Sequence, residues 1–236
     1  MRWLRLYFYS SVALVVVWAL AYSGGEALAT NAGVEVSFPV AAMPIDAWMK
    51  RNGWESFRGN PRRFRVEDGH LRMVSRDDSV SIQTERGFPV DPHRYAHVTM
   101  KFQVKTLPRG TQLAKKRGDD AALRLYVAFD RGGFAGLMPP NTIAYTWTES
   151  LPVGSIVQSE HFDRLRYVSV GRGGPVGGGD AAGMWMTVKR NLLADYRRVF
   201  PEDAGRVPDV LGMVLKCDSN NTHTTAEAWV AAIRIE

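Results

Sequence analysis

The sequence is almost without cysteine: among its 236 residues only Cys217 is one, which excludes a disulfide within the chain. Without disulfides, the stability of the fold has to come from a buried core. Cys217 closes the apolar run 210–217, where a thiol usually packs as a small hydrophobic group. We therefore predict a buried structural cysteine and not a catalytic thiol.

The chain also lacks the short signatures of several enzyme classes. It contains no G-x-S-x-G elbow, no H-E-x-x-H motif and no G-x-x-x-x-G-K-[ST] phosphate loop. The Glu-x-Asp-x-x-Glu run of sandwich-fold glucanases is absent as well. No complete catalytic set can therefore be assigned, and we name no catalytic residue.

The charge balance shows only a modest surplus of one sign. The sequence has 30 Lys and Arg against 24 Asp and Glu, a net charge of +6. This surplus suits a protein that works beside anionic lipid or lipopolysaccharide. The basic segments are not interleaved with aromatic residues as in a nucleic-acid module, so we expect no nucleic-acid partner.

The N-terminus has the pattern of a bacterial export signal. Arg2 and Arg5 precede the uncharged apolar stretch 6–22, and Ala27-Leu28-Ala29 follows with small residues at the A-x-A positions. The pattern predicts a signal peptide over residues 1–29 and a periplasmic or secreted protein.

An uncut signal anchor is the alternative interpretation of the same segment, because the apolar stretch approaches the length of a membrane span. The protein would then be anchored in the inner membrane and face the periplasm. It would touch the membrane only through residues 4–22.

Alternation of apolar and polar residues dominates the rest of the chain. It is clearest over residues 97–105, and Asp68-Gly69 between two alternating runs predicts a hairpin turn. Nine or ten such strands, separated by turn-rich loops, predict an all-β fold. We predict that residues 30–236 form a single two-sheet antiparallel β-sandwich of jelly-roll or lectin-like type.

Two segments have helical character within this β pattern. Residues 46–51 predict a short helix. Residues 192–200 place their apolar side chains on one face, with Asn191 as N-cap and Pro201 ending the helix.

Two polar clusters are candidates for a ligand site. Asp119 and Asp120 precede the strand 122–130, where they would either bind a cation or form a structural network with loop backbone and arginines. The second cluster, 218–225, has oxygen-bearing side chains that suit Ca²⁺. The alternative for it is a tight turn closed by Asn and Asp side chains.

Tyr145 and Trp147 lie on the same face of one predicted strand. Such a pair is either part of the core or an exposed platform that stacks on sugar rings. The sequence leaves both interpretations open.

Five segments taken together resemble domain-of-unknown-function family 3047, a bacterial exported family, from about Trp54 to Ile235. These segments are Gly118-Asp119-Asp120-Ala121-Ala122 with 123–129, Ala144-Tyr145-Thr146-Trp147, Arg190-Asn191, 195–200 and 218–222. The resemblance implies a β-sandwich similar to carbohydrate-binding modules, but no established activity. This sequence departs from the family pattern at Asn220, where Asp is expected, and the lost carboxylate weakens the case for Ca²⁺.

These observations give one leading hypothesis and two alternatives. The leading hypothesis is a non-catalytic envelope protein that binds a glycan or another polar ligand. The residues predicted to bind it are Asp119, Asp120, Tyr145, Trp147, Asp218, Asn220, Asn221 and Thr222. The first alternative is a polysaccharide-acting enzyme that uses Asp119, Asp120 and Asp218. The second is a structural or assembly partner in the cell envelope that docks through exposed sheet edges.

Overall fold

The computed structural model describes residues 33–85, 90–131, 139–149, 151–173, 183–203 and 205–236. The predicted signal segment 1–29 and most of the glycine-rich segment 171–183 lie outside these residues. Within the described ranges, no helix has the length and apolarity needed to cross a membrane.

The described chain is built mainly from β-strands, and it has two short α-helices. The strands are β1 (Val34–Ser37), β2 (Trp54–Arg58), β3 (Phe64–Glu67), β4 (His70–Arg76), β5 (Ser79–Thr84), β6 (His97–Thr106), β7 (Ala121–Phe129), β8 (Asn141–Thr148), β9 (Ile156–Gln158), β10 (Leu165–Arg172), β11 (Met186–Asn191), β12 (Val210–Asp218) and β13 (Thr225–Ile235). The helices are α1 (Ile45–Asn52) and α2 (Leu192–Val199), and Pro61–Arg63 and Pro201–Asp203 form short 3₁₀ turns.

The strands form two sheets, which confirms the predicted all-β sandwich. Sheet A has the order β11-β6-β13-β4-β3, with β1 also paired to β13. Sheet B has the order β2-β5-β12-β7-β8-β10-β9. The hydrophobic core lies between them and takes alternate residues from strands of both sheets, such as Leu123 and Leu125 of β7 and Phe102 of β6.

One pair of strands departs from the predicted antiparallel arrangement: β8 and β10 are parallel. The chain between them, from Thr148 to Leu165, is long enough to cross back before β10 begins. On its way it forms β9, which pairs antiparallel with β10.

Several local predictions are confirmed. Asp68 and Gly69 both have positive φ, 53° and 76°, as the tight turn between β3 and β4 requires. Asn191 caps α2, its side chain accepting a hydrogen bond from the Ala194 N–H. Cys217 is fully buried, and its Sγ lies 3.7 Å from the Ala226 carbonyl oxygen.

The outer face of sheet B, the face turned away from sheet A, is covered as well. Tyr126, Tyr167 and Val214 form a second apolar cluster on it. Leu113 from the segment before β7, and Phe162 from the segment before β10, pack over this cluster. The covering places polar side chains of sheet B away from water, and the candidate site lies among them.

Candidate functional site

A row of buried polar residues crosses the outer face of sheet B. The strand register places Lys216 of β12 beside Arg124 of β7, and Arg124 beside Thr146 of β8. Ser81 continues the row on β5. All four residues are buried, and Lys216, at 8%, is the most exposed of them. Charged side chains are rarely buried unless they are paired, so this row needs partners close by.

The partners are the carboxylates of Asp119 and Asp218. Arg124 Nη2 donates to Asp119 Oδ1 at 2.6 Å, and Arg124 Nη1 lies 3.6 Å from Asp218 Oδ2. Lys216 Nζ lies 2.5 Å from the same Asp218 oxygen. Two cations and two carboxylates therefore form one buried ionic network.

The network keeps both cations charged. Burial lowers the pKa of Arg124, but the carboxylates of Asp119 and Asp218 outweigh it and hold that pKa well above its usual value. Burial also lowers the pKa of Lys216, and the Asp218 carboxylate again reverses the shift, so the net change is upward.

Two further side chains contact the Asp119 carboxylate. The Tyr167 hydroxyl donates to Asp119 Oδ2 at 2.6 Å, and His161 Nε2 lies 3.7 Å from the same oxygen. Burial raises the pKa of Tyr167 well above its usual value, so the phenol stays protonated and remains a donor. Burial lowers the pKa of His161 despite the nearby carboxylate, so its imidazole is neutral at pH 7.

A small cleft of about 20 Å³, room for about one water molecule, opens to solvent beside this network. Its polar lining consists of Arg58, Ser79, Asp119, His161, Lys216, Asn220 and Asn221. Its apolar and aromatic lining consists of Tyr126, Phe162, Leu165 and Tyr167. Aromatic walls with a few convergent polar groups are typical of small-ligand sites.

Two buried polar atoms of the cleft have no hydrogen-bond partner among the described residues. They are Ser79 Oγ and His161 Nε2. An unpaired buried polar atom is costly to a fold, and such atoms in native proteins usually have an explanation. Both atoms belong to residues of the cleft wall, where a ligand or a water molecule could pair with them.

The structure brings six of the eight predicted site residues together. Asp119, Asn220 and Asn221 line the cleft, and Asp120, Asp218 and Thr222 lie next to it. Two segments that are about 100 residues apart in the sequence thus form one site.

Asp120 ties these two segments together. One of its oxygens accepts from the backbone and side-chain N–H groups of Asn221, both at 3.2 Å. The other accepts from the Thr222 N–H and hydroxyl, both at 2.7 Å. With four donors on its carboxylate, Asp120 closes the turn after β12.

The structure places Tyr145 and Trp147 apart from the cleft, on the core side of sheet B. Their exposed fractions are 1% and 3%. The Tyr145 hydroxyl donates to Asp195 at 3.0 Å, and Trp147 packs edge-on against Phe102. Their predicted ligand-binding role stays a prediction.

The three carboxylates of the predicted enzyme do not face one another across the cleft. Glycoside hydrolysis requires two carboxyl groups on opposite sides of the substrate. Of the three, only Asp119 lines the cleft. The enzyme alternative therefore stays a prediction without a facing carboxylate pair.

The same carboxylates fit a Ca²⁺ ion poorly. Asp120 already accepts four hydrogen bonds, and Asp218 accepts from the Ala121 N–H and pairs with Lys216. Within the described chain, no group of three or more His, Cys, Asp or Glu side chains is arranged to hold a metal ion. Calcium binding remains untested.

Sequence reasoning missed the cations and the ring residues of the site. Arg124 and Lys216 interrupt apolar strands on the face opposite the core residues, a face that alternation alone assigns to solvent. A charged residue in the middle of an otherwise apolar strand is the signal that could have identified them. Nothing in the sequence indicated Tyr167 or His161.

Comparisons with known proteins identify the family. A family model described as "Protein of unknown function (DUF3047)" matches residues 52–234, and the chain belongs to this family. The predicted resemblance is confirmed. No curated protein matches the sequence.

Solved structures with a loosely similar arrangement of strands include two xyloglucanases and a cellulase. A xyloglucanase from Bacillus licheniformis is 11% identical, with 84% of this chain and 97% of that chain covered and a TM-score of 0.40. A cellulase derived from Cel12A of Rhodothermus marinus is 11% identical, with 85% and 97% covered and a TM-score of 0.42. The xyloglucanase domain of NopAA from Sinorhizobium fredii, in complex with cellobiose, is 9% identical, with 83% and 97% covered and a TM-score of 0.36.

Proposed function

We propose that this member of the DUF3047 family binds a neutral saccharide over the mouth of the small cleft on the outer face of sheet B, with sugar hydroxyls reaching into the cleft. One observation carries the proposal. A buried ionic network and two buried polar atoms without hydrogen-bond partners, Ser79 Oγ and His161 Nε2, meet at the same cleft.

The ionic network supports a functional role more than a structural one. A buried ion pair seldom stabilises a fold better than packed apolar residues of the same size, because the charges lose their hydration. Lys216 and Tyr167, which both have a raised pKa, nevertheless line an open cleft, and perturbed ionisable groups in a cleft are typical of functional sites.

The chemistry of the cleft suits a saccharide. Sugar hydroxyls both donate and accept, so they can pair with the Asn220 and Asn221 amides, the Ser79 hydroxyl and the His161 imidazole. The C–H face of a sugar ring can pack on the partly exposed ring of Phe162. The charges of Arg124 and Lys216 are balanced by Asp119 and Asp218, so the buried network adds no net charge to the cleft.

The experiment is a glycan-array screen of the full-length chain, followed by calorimetric titration of the best neutral oligosaccharide. His161→Phe keeps the ring volume and removes the cleft nitrogen, and we expect it to weaken binding by about tenfold, the worth of one hydrogen bond of about 1.4 kcal/mol. Lys50→Met, on the exposed face of α1, is the control and should bind like the wild type.

Two results would contradict the proposal. One is the absence of neutral-glycan binding by the folded wild type. The other is a His161→Phe variant that keeps wild-type affinity, with a circular dichroism spectrum that shows a native fold.

Export of the protein is part of the same proposal. It is supported by the charged and apolar pattern of residues 1–29, which lie outside the described residues. Cell fractionation with N-terminal sequencing tests it. A periplasmic protein that begins at Thr30 agrees with a cleaved signal, a membrane-bound protein that retains residues 4–22 agrees with the anchor, and a cytoplasmic protein contradicts both.

A further inference from the structure

A second group of aromatic and charged residues lies on the opposite side of the molecule, on the outer face of sheet A. Trp229 of β13 has the guanidinium of Arg72 and the ammonium of Lys105 over its ring, at 5.8 Å and 5.7 Å from the centroid. Trp185, just before β11, has Lys101 Nζ at 6.0 Å. Three cations of this face are therefore held by indole rings.

The rings are themselves fixed in position. His70 of β4 stacks on Trp185 at 4.5 Å between centroids, although β6 and β13 separate β4 from β11 in the sheet. Glu227 accepts from Trp229 Nε1 at 3.0 Å and from Arg72 Nε at 2.9 Å. These contacts restrict the rings and, through them, the positions of the cations.

The face carries a surplus of positive charge. Around the two indole rings the cations are Arg65, Arg72, Arg76, Lys101 and Lys105, and the carboxylates are Glu67 and Glu227. Both carboxylates are paired with Arg72. Farther along the sheet, Lys189 and Arg234 are each paired with a carboxylate. Lys101 and Lys105 are four residues apart on one strand, a separation of about 13 Å.

We propose that the outer face of sheet A binds an anionic polysaccharide, as a site separate from the cleft. Cations at fixed positions along a strand complement a polymer whose charges repeat at fixed intervals, because their positions are set before the ligand binds. A bilayer has mobile charges and gains little from such ordering. Single-stranded nucleic acid needs open ring faces for its bases, and here cations and an imidazole already occupy ring faces.

The test measures binding of the full-length chain to polygalacturonate and heparin at low salt. The Lys101→Ala/Lys105→Ala variant should lose at least about fivefold in affinity, and wild-type binding should weaken as salt is added, because the contacts are exposed. Lys50→Ala/Arg51→Ala removes the same charge from α1 and should bind like the wild type. Lys101→Arg/Lys105→Arg should retain binding.

Three results would overturn the inference. The first is absence of binding to both polyanions. The second is equal loss in the Lys50/Arg51 control, which would mean that only net charge matters. The third is a stronger effect of the Lys101/Lys105 change on phosphatidylglycerol vesicles or on oligo(dT) than on the polysaccharides. Since His161→Phe leaves this face unaltered, failure here and failure of the cleft proposal are distinguishable.

Discussion

Arg124 and Asp119 form a hydrogen-bonded ion pair at 2.6 Å on the covered outer face of sheet B, with the Arg124 side chain fully buried and that of Asp119 7% exposed. The guanidinium also lies over the Tyr167 ring, 4.8 Å from its centroid. This pair joins the strand that crosses the floor of the cleft to the segment that forms its wall.

Arg124→Met should destabilise the protein strongly, because it leaves Asp119 buried without its main counter-charge. We expect a loss of about 3 kcal/mol in the free energy of unfolding. Denaturant titration measures it. Arg62→Met removes an arginine whose pair with Asp46 is exposed, 79% and 53% for the two side chains, and should cost no more than about 1 kcal/mol. Equal losses in the two variants would show that the buried network does not act as described.

Asp120 should make stability depend on pH in a defined direction. Burial, followed by the charge of Asp218, raises the pKa of Asp120 above 3.8. The folded state therefore holds the proton of the Asp120 carboxyl more tightly than the unfolded chain does. The resulting contribution to the free energy of unfolding is complete below about pH 3.8 and is lost as the pH rises through the folded-state pKa.

Comparison with Asp120→Asn isolates this contribution. The free energy of unfolding of the wild type minus that of the variant should decrease as the pH rises above about 3.8. Denaturant titrations at a series of pH values measure it. A difference that stays constant or increases would mean that burial does not raise the pKa.

Gly171 should tolerate no side chain, because a Cβ there would overlap the ring of Trp147. We expect Gly171→Ala to cost about 2 kcal/mol or more. In a Trp147→Ala background, itself destabilised by about 3–5 kcal/mol, the same glycine change should cost much less. Thermal unfolding of the wild type, the two single variants and the double variant measures the free energies for this double-mutant cycle. Gly205→Ala, where a Cβ meets no atom within 4 Å, is the matched control. Additive effects of the two changes would contradict the described contact.

The Cys217 thiol should be inert in the native protein. Burial, together with the Asp218 charge, raises its pKa well above the usual value, so little thiolate forms. Iodoacetamide labelling followed by mass spectrometry should proceed only as fast as the chain unfolds. Rapid labelling without denaturant would argue for an accessible thiol.

The fold could be predicted because its determinants are local. The Asp68-Gly69 turn, the alternation over β6 and the Asn191 cap each depend on a few neighbouring residues. The parallel pairing of β8 with β10 depends on how a 16-residue connection crosses the sheet, and no local pattern records it.

The site could be predicted only in its polar turns. Asp119, Asp120 and the 218–222 segment stand out because they gather acidic and amide side chains at strand ends. The burial of Arg124 and Lys216 results from segments that fold over sheet B, such as the one carrying Phe162, and alternation cannot reveal that covering. For the same reason the sequence does not show which face of sheet B an aromatic residue occupies. Tyr145 and Trp147 lie on the core face, and Tyr126 lies on the covered outer face.

Histidine NMR during titration with a neutral oligosaccharide tests the central claim most directly, because His161 lines the cleft and His70 lies on the outer face of sheet A. The account predicts that the imidazole C–H signals of His161 shift in proportion to binding, while those of His70 and His93 stay in place. Binding that leaves the His161 signals unmoved, or that moves those of His70 instead, would contradict a saccharide site in the cleft.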